Sequence, residues 1–463
     1  MKNFLIPILI LFSFSVFARE KEQLSMHELD ERLTNLELMQ ALNQIHFGIE
    51  LNNYIGHFQV NDRDPEYNEK DFSGKDKDER TRMNSQVRFS ANARLNDQFA
   101  IYTQFESNFH ANSEFNTGNV PSFNTTYQRR GVGVFVRRAY FDYHMNKYFT
   151  FSMGRLPTTN GPPQNVRNNM ERRGTYPLLS FSVPIDGVAG TLRFHLNPSN
   201  QLILRTILAP GGLRGDDEDQ TYANYQVMTS ATSSELAEDS RGLTQMLELR
   251  NKSSLWDEFL FILQGSRYSF GSFKDSFFDN IDSESGLPVG RYRISSSGPQ
   301  LADLDLLATY FQIDRLFQLS LKFYMSHAYS KIHRRGSLLI SQAGSPYSPV
   351  SRFGFLSDDD VSGNRWLFGV NVKPGDSYFF GAEYMKSTKF SVPAASYTDE
   401  LTSFLDENGE DFHGYIGVPI INSKSVVRFG AHYFKRNQAI IGNVFTNSSE
   451  NVTSTYLLFN MRI

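Results

Sequence analysis

The chain of 463 residues has no cysteine, so no disulfide staples it and its hydrogen bonds and packing must hold it. It has no later run of about 20 apolar residues of the kind that a membrane-spanning helix needs. It has no marked charge of one sign: 46 Lys and Arg face 50 Asp and Glu, for a net charge of −4. That balance gives no electrostatic case for a nucleic-acid partner. Phosphate-loop, dinucleotide and zinc motifs are missing as well, so no cofactor is expected. What the chain does have is aromatic weight, with 40 Phe and 22 Tyr.

Very short polar turns cut the chain at Asn96-Asp97, Asn146-Lys147, Asn197-Pro198-Ser199-Asn200, Asn251-Lys252-Ser253-Ser254, Asp314-Arg315, Pro374-Gly375-Asp376 and Asn422-Ser423-Lys424. Between them lie long polar segments, at 61–82, 111–130, 156–183, 211–240, 271–300, 331–362, 391–410 and 438–451. Short turns at one end and long loops at the other are the mark of an outer-membrane β-barrel. The sequence therefore predicts an all-β fold, a transmembrane antiparallel barrel of about 16 strands spanning 44–463 with both termini in the periplasm. A barrel of about that size leaves an aqueous channel. A soluble sandwich would carry turns of similar length at both ends.

Residues 1–18 read as a cleaved signal peptide. Lys2 gives the positive start, Phe4 to Val16 is apolar, and Val16-Phe17-Ala18 sets up a cut before Arg19. Residues 19–43 read as a short periplasmic helix. Met26, Leu29, Leu33 and Leu36 have coiled-coil spacing, and Glu28 and Arg32 form an i,i+4 pair. Two roles stay open for it: a solvated or lumen-packed helix, or a trimerising coil beneath three barrels.

From Gln44 the period becomes two. Ile45, Phe47, Ile49 and Leu51 alternate with His46, Gly48, Glu50 and Asn52. Val87, Phe89, Ala91, Ala93 and Leu95 alternate with Arg88, Ser90, Asn92 and Arg94. The same lipid-out, water-in pattern returns at 98–110, 317–329 and 427–435. In 131–145 the apolar phase shifts from Val132, Val134 and Val136 to Ala139, Phe141, Tyr143 and Met145, which predicts a bulge near Arg137. The segment 286–297 reads as loop. The last run, Thr453 to Ile463, sets Thr455, Leu457, Phe459, Met461 and Ile463 on one face, the type of terminal strand that barrel-assembly machinery reads, although its end is not aromatic.

The most distinctive sequence is Arg138-Ala139-Tyr140-Phe141-Asp142-Tyr143, then Gly154-Arg155-Leu156-Pro157-Thr158-Thr159-Asn160-Gly161-Pro162-Pro163, continuing through Arg173-Gly174-Thr175-Tyr176-Pro177 to Asp186-Gly187. It resembles a family of outer-membrane barrels known mainly as a domain of unknown function in Gram-negative bacteria. The resemblance covers about 60 residues and implies a barrel without naming a substrate. More loosely, Arg-x-x-Tyr followed by Gly-Arg is similar to the general porins, where it stands on the two strands before the constriction loop. The residues themselves agree. This third long segment is stiffened by Pro157, Pro162 and Pro163. It carries Arg155, Arg167, Arg172 and Arg173 against Glu171, so that folded into the lumen it would narrow a pore and set its field.

Strand parity points Arg88, Arg94, Arg193, Arg205, Arg250, Lys322 and Arg428 inward with Glu50, Glu106, Asp142, Glu248 and Glu383. Such a mixed wall with a basic excess predicts a slight anion preference. Acidic runs at Asp216-Asp217-Glu218-Asp219, Asp358-Asp359-Asp360 and Asp406-Glu407-Asn408-Gly409-Glu410-Asp411 lack the spacing of a calcium loop, so no metal site is assigned. The expected function is passive diffusion of small hydrophilic solutes through a homotrimer in outer-membrane lipid and lipopolysaccharide. The rivals are a plugged structural or adhesive barrel and a barrel lipase or protease. For the last, His110, His144 and His195 have no matching serine or acidic motif nearby in sequence.

Overall fold

The computed structural model describes residues 45–61, 78–110, 133–180, 185–210, 241–271, 276–281, 288–297, 300–316, 319–335, 337–342, 361–388, 391, 408–420, 424–441 and 444–462. The signal peptide (1–18), the helix (19–43), the acidic runs at 216–219 and 358–360 and most of the long polar segments lie outside them. The contact pattern divides the chain into residues 1–46 and 47–463. Of the first unit only Ile45 and His46 are described; the second is a barrel.

Alternating residues make strands β1 (Ile45–Asn61), β2 (Asp78–Arg94), β3 (Phe99–His110), β4 (Gly133–His144), β5 (Phe149–Leu156), β6 (Ile185–Asn197), β7 (Asn200–Pro210), β8 (Arg241–Asn251) and β9 (Glu258–Gly271). They continue with β10 (Ser276–Ile281), β11 (Pro288–Ser297), β12 (Gln300–Asp314), β13 (Leu321–Arg334), β14 (Ser337–Gln342), β15 (Val361–Val372), β16 (Phe379–Ser387), β17 (Asn408–Ile420), β18 (Ser425–Ile441) and β19 (Val444–Arg462). All but β10, β11 and β14 join one closed antiparallel barrel of 16 strands, each paired with its neighbour in sequence. The last strand pairs with the first, Glu50 opposite Arg462 and Asn61 opposite Asn451, so no barrel edge is left open.

The period of two sorts the two faces. On β18, Phe429 is 55 % exposed while its neighbour Arg428 is fully buried. Outward aromatics pair across strands: Phe47 on Phe89, Phe99 on Phe141, and Phe311 against both Phe259 and Phe323. Inward, aromatic rings lie flat over glycines of adjacent strands. Tyr324 covers Gly369, Tyr415 covers Gly381, Phe379 covers Gly417 and Tyr456 covers Gly430. A methyl group at any of these glycines would overlap its ring.

The predicted turns stand where one barrel strand ends and the next begins, Asn197, Asn200, Asn251 and Asp314 being the last or first residues of their strands; residues 422 and 423 lie outside the described set. Asparagine does the local work. The Asn96 side-chain oxygen accepts from the Gln98 and Phe99 amides at 2.8 Å each, and Asn146 repeats the bond with Tyr148 and Phe149 at 2.8 and 2.9 Å. In the β15–β16 turn, Lys373 sits 2.8 Å from Asp376 and holds that carboxyl below the usual range. The bulge is present too. Pairing of β3 with β4 jumps from Gln104–Arg138 to Phe105–Val136, leaving Arg137 as the extra residue.

Several boundaries differ from expectation: β2 starts at Asp78 within the segment 61–82, β10 lies within 271–300, and the end of β13 and all of β14 lie within 331–362. Part of 286–297 is strand β11, but it pairs with β10 and β14 in a separate three-stranded sheet, so the barrel count is unchanged. The segment 438–451 is largely strand: β18 runs to Ile441 and β19 starts at Val444, because pairs such as Ala439–Thr446 prolong the ladder beyond the alternating core. β13 begins at Leu321, and residues 317 and 318 lie outside the described set. In the acidic run 406–411, Glu410 and Asp411 belong to β17, where Lys386 and His432 engage them.

Candidate functional site within the barrel

Residues 157–180 leave β5 and fold back on themselves. The Gly174 amide donates to the Asn160 carbonyl at 2.9 Å, and the Leu178 amide donates to that of Pro162, also at 2.9 Å. Gly174 has no room for a side chain, since a Cβ would meet the Thr159 and Asn160 backbone. A single helical turn, α1 (Gln164–Arg167), stands at the tip. Val166, Tyr176, Leu178 and Leu179 are buried and cluster with Ile207, Met246, Ile262 and Tyr268 of β7, β8 and β9. Burying a side chain of this size is worth about 1.5–3 kcal/mol each. Burial pushes the Tyr176 hydroxyl up to about 12, against the pull of Arg205.

The polar side chains of the segment reach in every direction. Arg167 donates to Glu383 on β16 at 2.6 Å, Arg172 donates to Glu248 on β8 at 2.5 Å, and Arg173 donates to Glu50 on β1. Ser180 donates to Gln264 on β9 at 3.0 Å. Asn371 on β15 donates to the Val166 carbonyl at 3.2 Å, and Arg428 on β18 donates to Asn168 at 2.9 Å. Arg137 on β4 donates to Asn160 at 3.1 Å. These strands lie all round the ring, so the segment crosses the interior and is tied to it on all sides.

Each of its three inner arginines meets one wall carboxylate. The charges therefore act first as tethers, and both members of each pair are largely out of water. Arg155 does not join them. It stands on β5 next to the buried Leu156, one residue before the loop begins, and donates to Asp186 of the neighbouring strand β6 at 2.7 and 2.9 Å, both partners partly exposed. Glu171 is exposed.

The inward wall residues form three groups. Arg88 donates to Glu106 and Glu50, Arg137 joins Glu106, and Arg462 joins Glu50. Glu383 takes Arg167, Tyr324 and His413. His413 stacks on His432 at 3.9 Å, His432 bonds Asp411, and Arg428 lies over the Tyr415 and Tyr456 rings. The third group, nearer the turns, keeps more contact with solvent. Arg193 donates to Thr150, Arg205 to Thr191 and Thr175, Arg250 to Glu248, and Ser152 donates to Asp142. Lys322 pairs with Asp314 at 3.2 Å, and Arg94 stands exposed at the rim beside Asp97.

Sequence reading missed Arg137, Asp411, His413, His432 and the tyrosine layer as parts of the site. Parity carried from Arg428 and Glu383 along β16 to β18 would have found the histidines, and inward glycine beside aromatic would have found the tyrosines. The bulge hid Arg137.

The family described as "Protein of unknown function (DUF3373)" matches residues 77–448. Among solved structures the chain is similar to OprB of Pseudomonas putida, at 10 % identity over 93 % of this chain and 96 % of that one, with a TM-score of 0.47. It is also similar to an anion-selective porin from Comamonas acidovorans, at 9 % identity over 90 % and 99 %, with a TM-score of 0.43. Salmonella typhi OmpF, in a complex with daunomycin, matches at 10 % identity over 90 % and 97 %, with a TM-score of 0.42. No curated protein matches the chain.

Proposed function

The chain belongs to this DUF3373 family of unknown function, and on that premise we propose that it is an outer-membrane channel of porin type for small hydrophilic solutes. One observation carries this reading above the others: a closed ring of 16 strands, apolar outside and polar within, is crossed by one segment tied to strands all round it. An apolar outer band with no free edge suits lipid. A polar interior suits water, and segment 157–180 is the element that sets the width of the passage. On the β3 to β8 side the inward residues Tyr102, Tyr140, Asp142, Arg193, Arg205 and Arg250 keep partial exposure, which supports a solute path along that wall. The same reading includes a homotrimer, whose signature is current steps in threes.

The depth of burial elsewhere favours a second reading, a plugged structural barrel. Arg88, Glu248, Tyr310 and Tyr324 are all essentially sealed from solvent. Liposome swelling with sugars of graded size decides between them. A channel lets small sugars in and excludes larger ones. Swelling no faster than in empty liposomes, with the protein folded in the bilayer, would leave the plugged barrel.

A further inference from the structure

We infer that Arg193 and Arg205, with Tyr102, Tyr140 and Asp142, form a subsite on the inner wall for a sugar acid, a carboxylate carried on a hydroxylated ring. This rests on the channel reading and names the solute class for that path.

The first observation is how the two guanidinium groups are held. The other inward arginines described above sit on carboxylates or amides: Arg88 and Arg137 on Glu106, Arg167 on Glu383, Arg172 and Arg250 on Glu248, Arg173 on Glu50, Arg428 on Asn168. Arg193 and Arg205 are instead anchored by hydroxyls. Thr150 accepts from Arg193 at 2.7 Å; Thr191 accepts from Arg205 at 3.1 Å, and Thr175 of the crossing segment accepts another of its donors. Among the described residues neither forms an ion pair. A threonine fixes a guanidinium without neutralising it and leaves most of its five donors for another acceptor.

The second observation is placement. Thr191 and Arg205 are partners across β6 and β7, and Arg193 lies two residues further on the same face, so the two arginines are diagonal neighbours. A carboxylate between them is held by a fork on each side, the strong form of charge-assisted hydrogen bond. Both are partly exposed, so an incoming anion does not have to displace a packed core.

The third observation is what stands beside them on the same wall, where β4 reaches β6 through β5: Asp142 pairs with Ser152, and Ser152 with Ala189. Tyr102 and Tyr140 face each other across β3 and β4 and stack at 4.9 Å between centroids, 18° from parallel. Their strands β3 and β4 are joined to β6 and β7 through β5, and the side chains of Tyr102, Tyr140, Arg193 and Arg205 all face the interior. Asp142, on the same face of β4, takes a hydrogen bond from Ser152 at 2.5 Å and keeps further acceptor capacity. The arginines suit a carboxylate, the tyrosines suit a ring, and Asp142 suits hydroxyls. A sugar acid uses all three. A simple carboxylate uses only the first, and an aromatic carboxylate has nothing for Asp142.

The test measures block of single-channel current by glucuronate, glucose and benzoate, on the wild type, R193Q/R205Q and R193K/R205K. Glucuronate should block the wild type at concentrations about tenfold or more below those of glucose and benzoate, and R193Q/R205Q should lose that advantage. The lysine pair keeps the charge without the fork and should retain part of it, which separates loss of the subsite from loss of the fold. Glucuronate no better than glucose, or block that survives in R193Q/R205Q, overturns the subsite. Benzoate as good as glucuronate overturns the sugar assignment. Saturation-transfer NMR of glucuronate on the full chain in detergent is read in parallel. Transfer that depends on the two arginines over a silent bilayer sinks the channel and upholds the subsite; current with no selective block and no transfer sinks the subsite alone.

Discussion

Arg167 and Glu383 show what a buried pair does in this barrel. Both are within a few per cent of full burial, and Glu383 also takes His413 and Tyr324. Breaking such a pair from one side leaves a stranded charge, at a cost of about 3–5 kcal/mol. R167M or E383M alone should therefore lower the urea unfolding midpoint in lipid vesicles, while R167M/E383M should lower it less than either single change. Equal, additive losses would show that the two groups do not act as a pair. The inward glycines make a steric claim at the same scale. Gly381 lies beneath the Tyr415 ring and Gly430 beneath Tyr456. G381V or G430V forces the ring off the wall at a cost of about 1–3 kcal/mol, whereas the same change at Gly265, which has open space around its Cβ position, should be tolerated. Folded yield, read as the heat-modifiable band on a gel, separates the two outcomes.

At the scale of elements, the turns and the bulge were legible because their causes are local. Asn96 and Asn146 cap their turns with their own side chains, and the phase shift around Arg137 needs no knowledge of its neighbours. N96A and N146A should each cost up to about 1 kcal/mol of unfolding free energy, since two amides lose their acceptor but water reaches the turn. The sheet of β10, β11 and β14 was not legible. Its strands are short and its pairing links residues as distant as Ile294 and Ile340, which periodicity does not register. The crossing segment was half legible. Its stiffness and charge are plain in the sequence, but its three carboxylate partners lie on β1, β8 and β16, and only closure of the barrel brings them to it. Gly174 is the point where the segment turns against its own backbone. G174A should leave the barrel heat-modifiable and folded but unseat the segment, and single-channel recordings should show altered conductance. Identical recordings from both proteins would mean that the fold-back has no bearing on the passage.

For the whole molecule, strand number and the inside–outside sorting of charge came from counting turns and following parity. What the linear chain does not display is neutralisation. The loop charges, read alone, point to a basic constriction with a slight anion preference, yet in the barrel Arg167, Arg172 and Arg173 are each matched by a glutamate, and among the described residues the inner arginines held by hydroxyls and without an ion pair are Arg193 and Arg205 on the wall. Removing the loop charges then unmasks acids. The most direct test of segment 157–180 as the element that governs passage is the reversal potential and conductance of single channels under a salt gradient, for the native chain and for R167Q/R172Q/R173Q. The account predicts stepwise current from the native protein, and a shift toward cations in the variant as Glu383, Glu248 and Glu50 lose their partners. Unchanged selectivity and conductance, with the variant folded, would contradict it, because the segment would then not border the path that ions take.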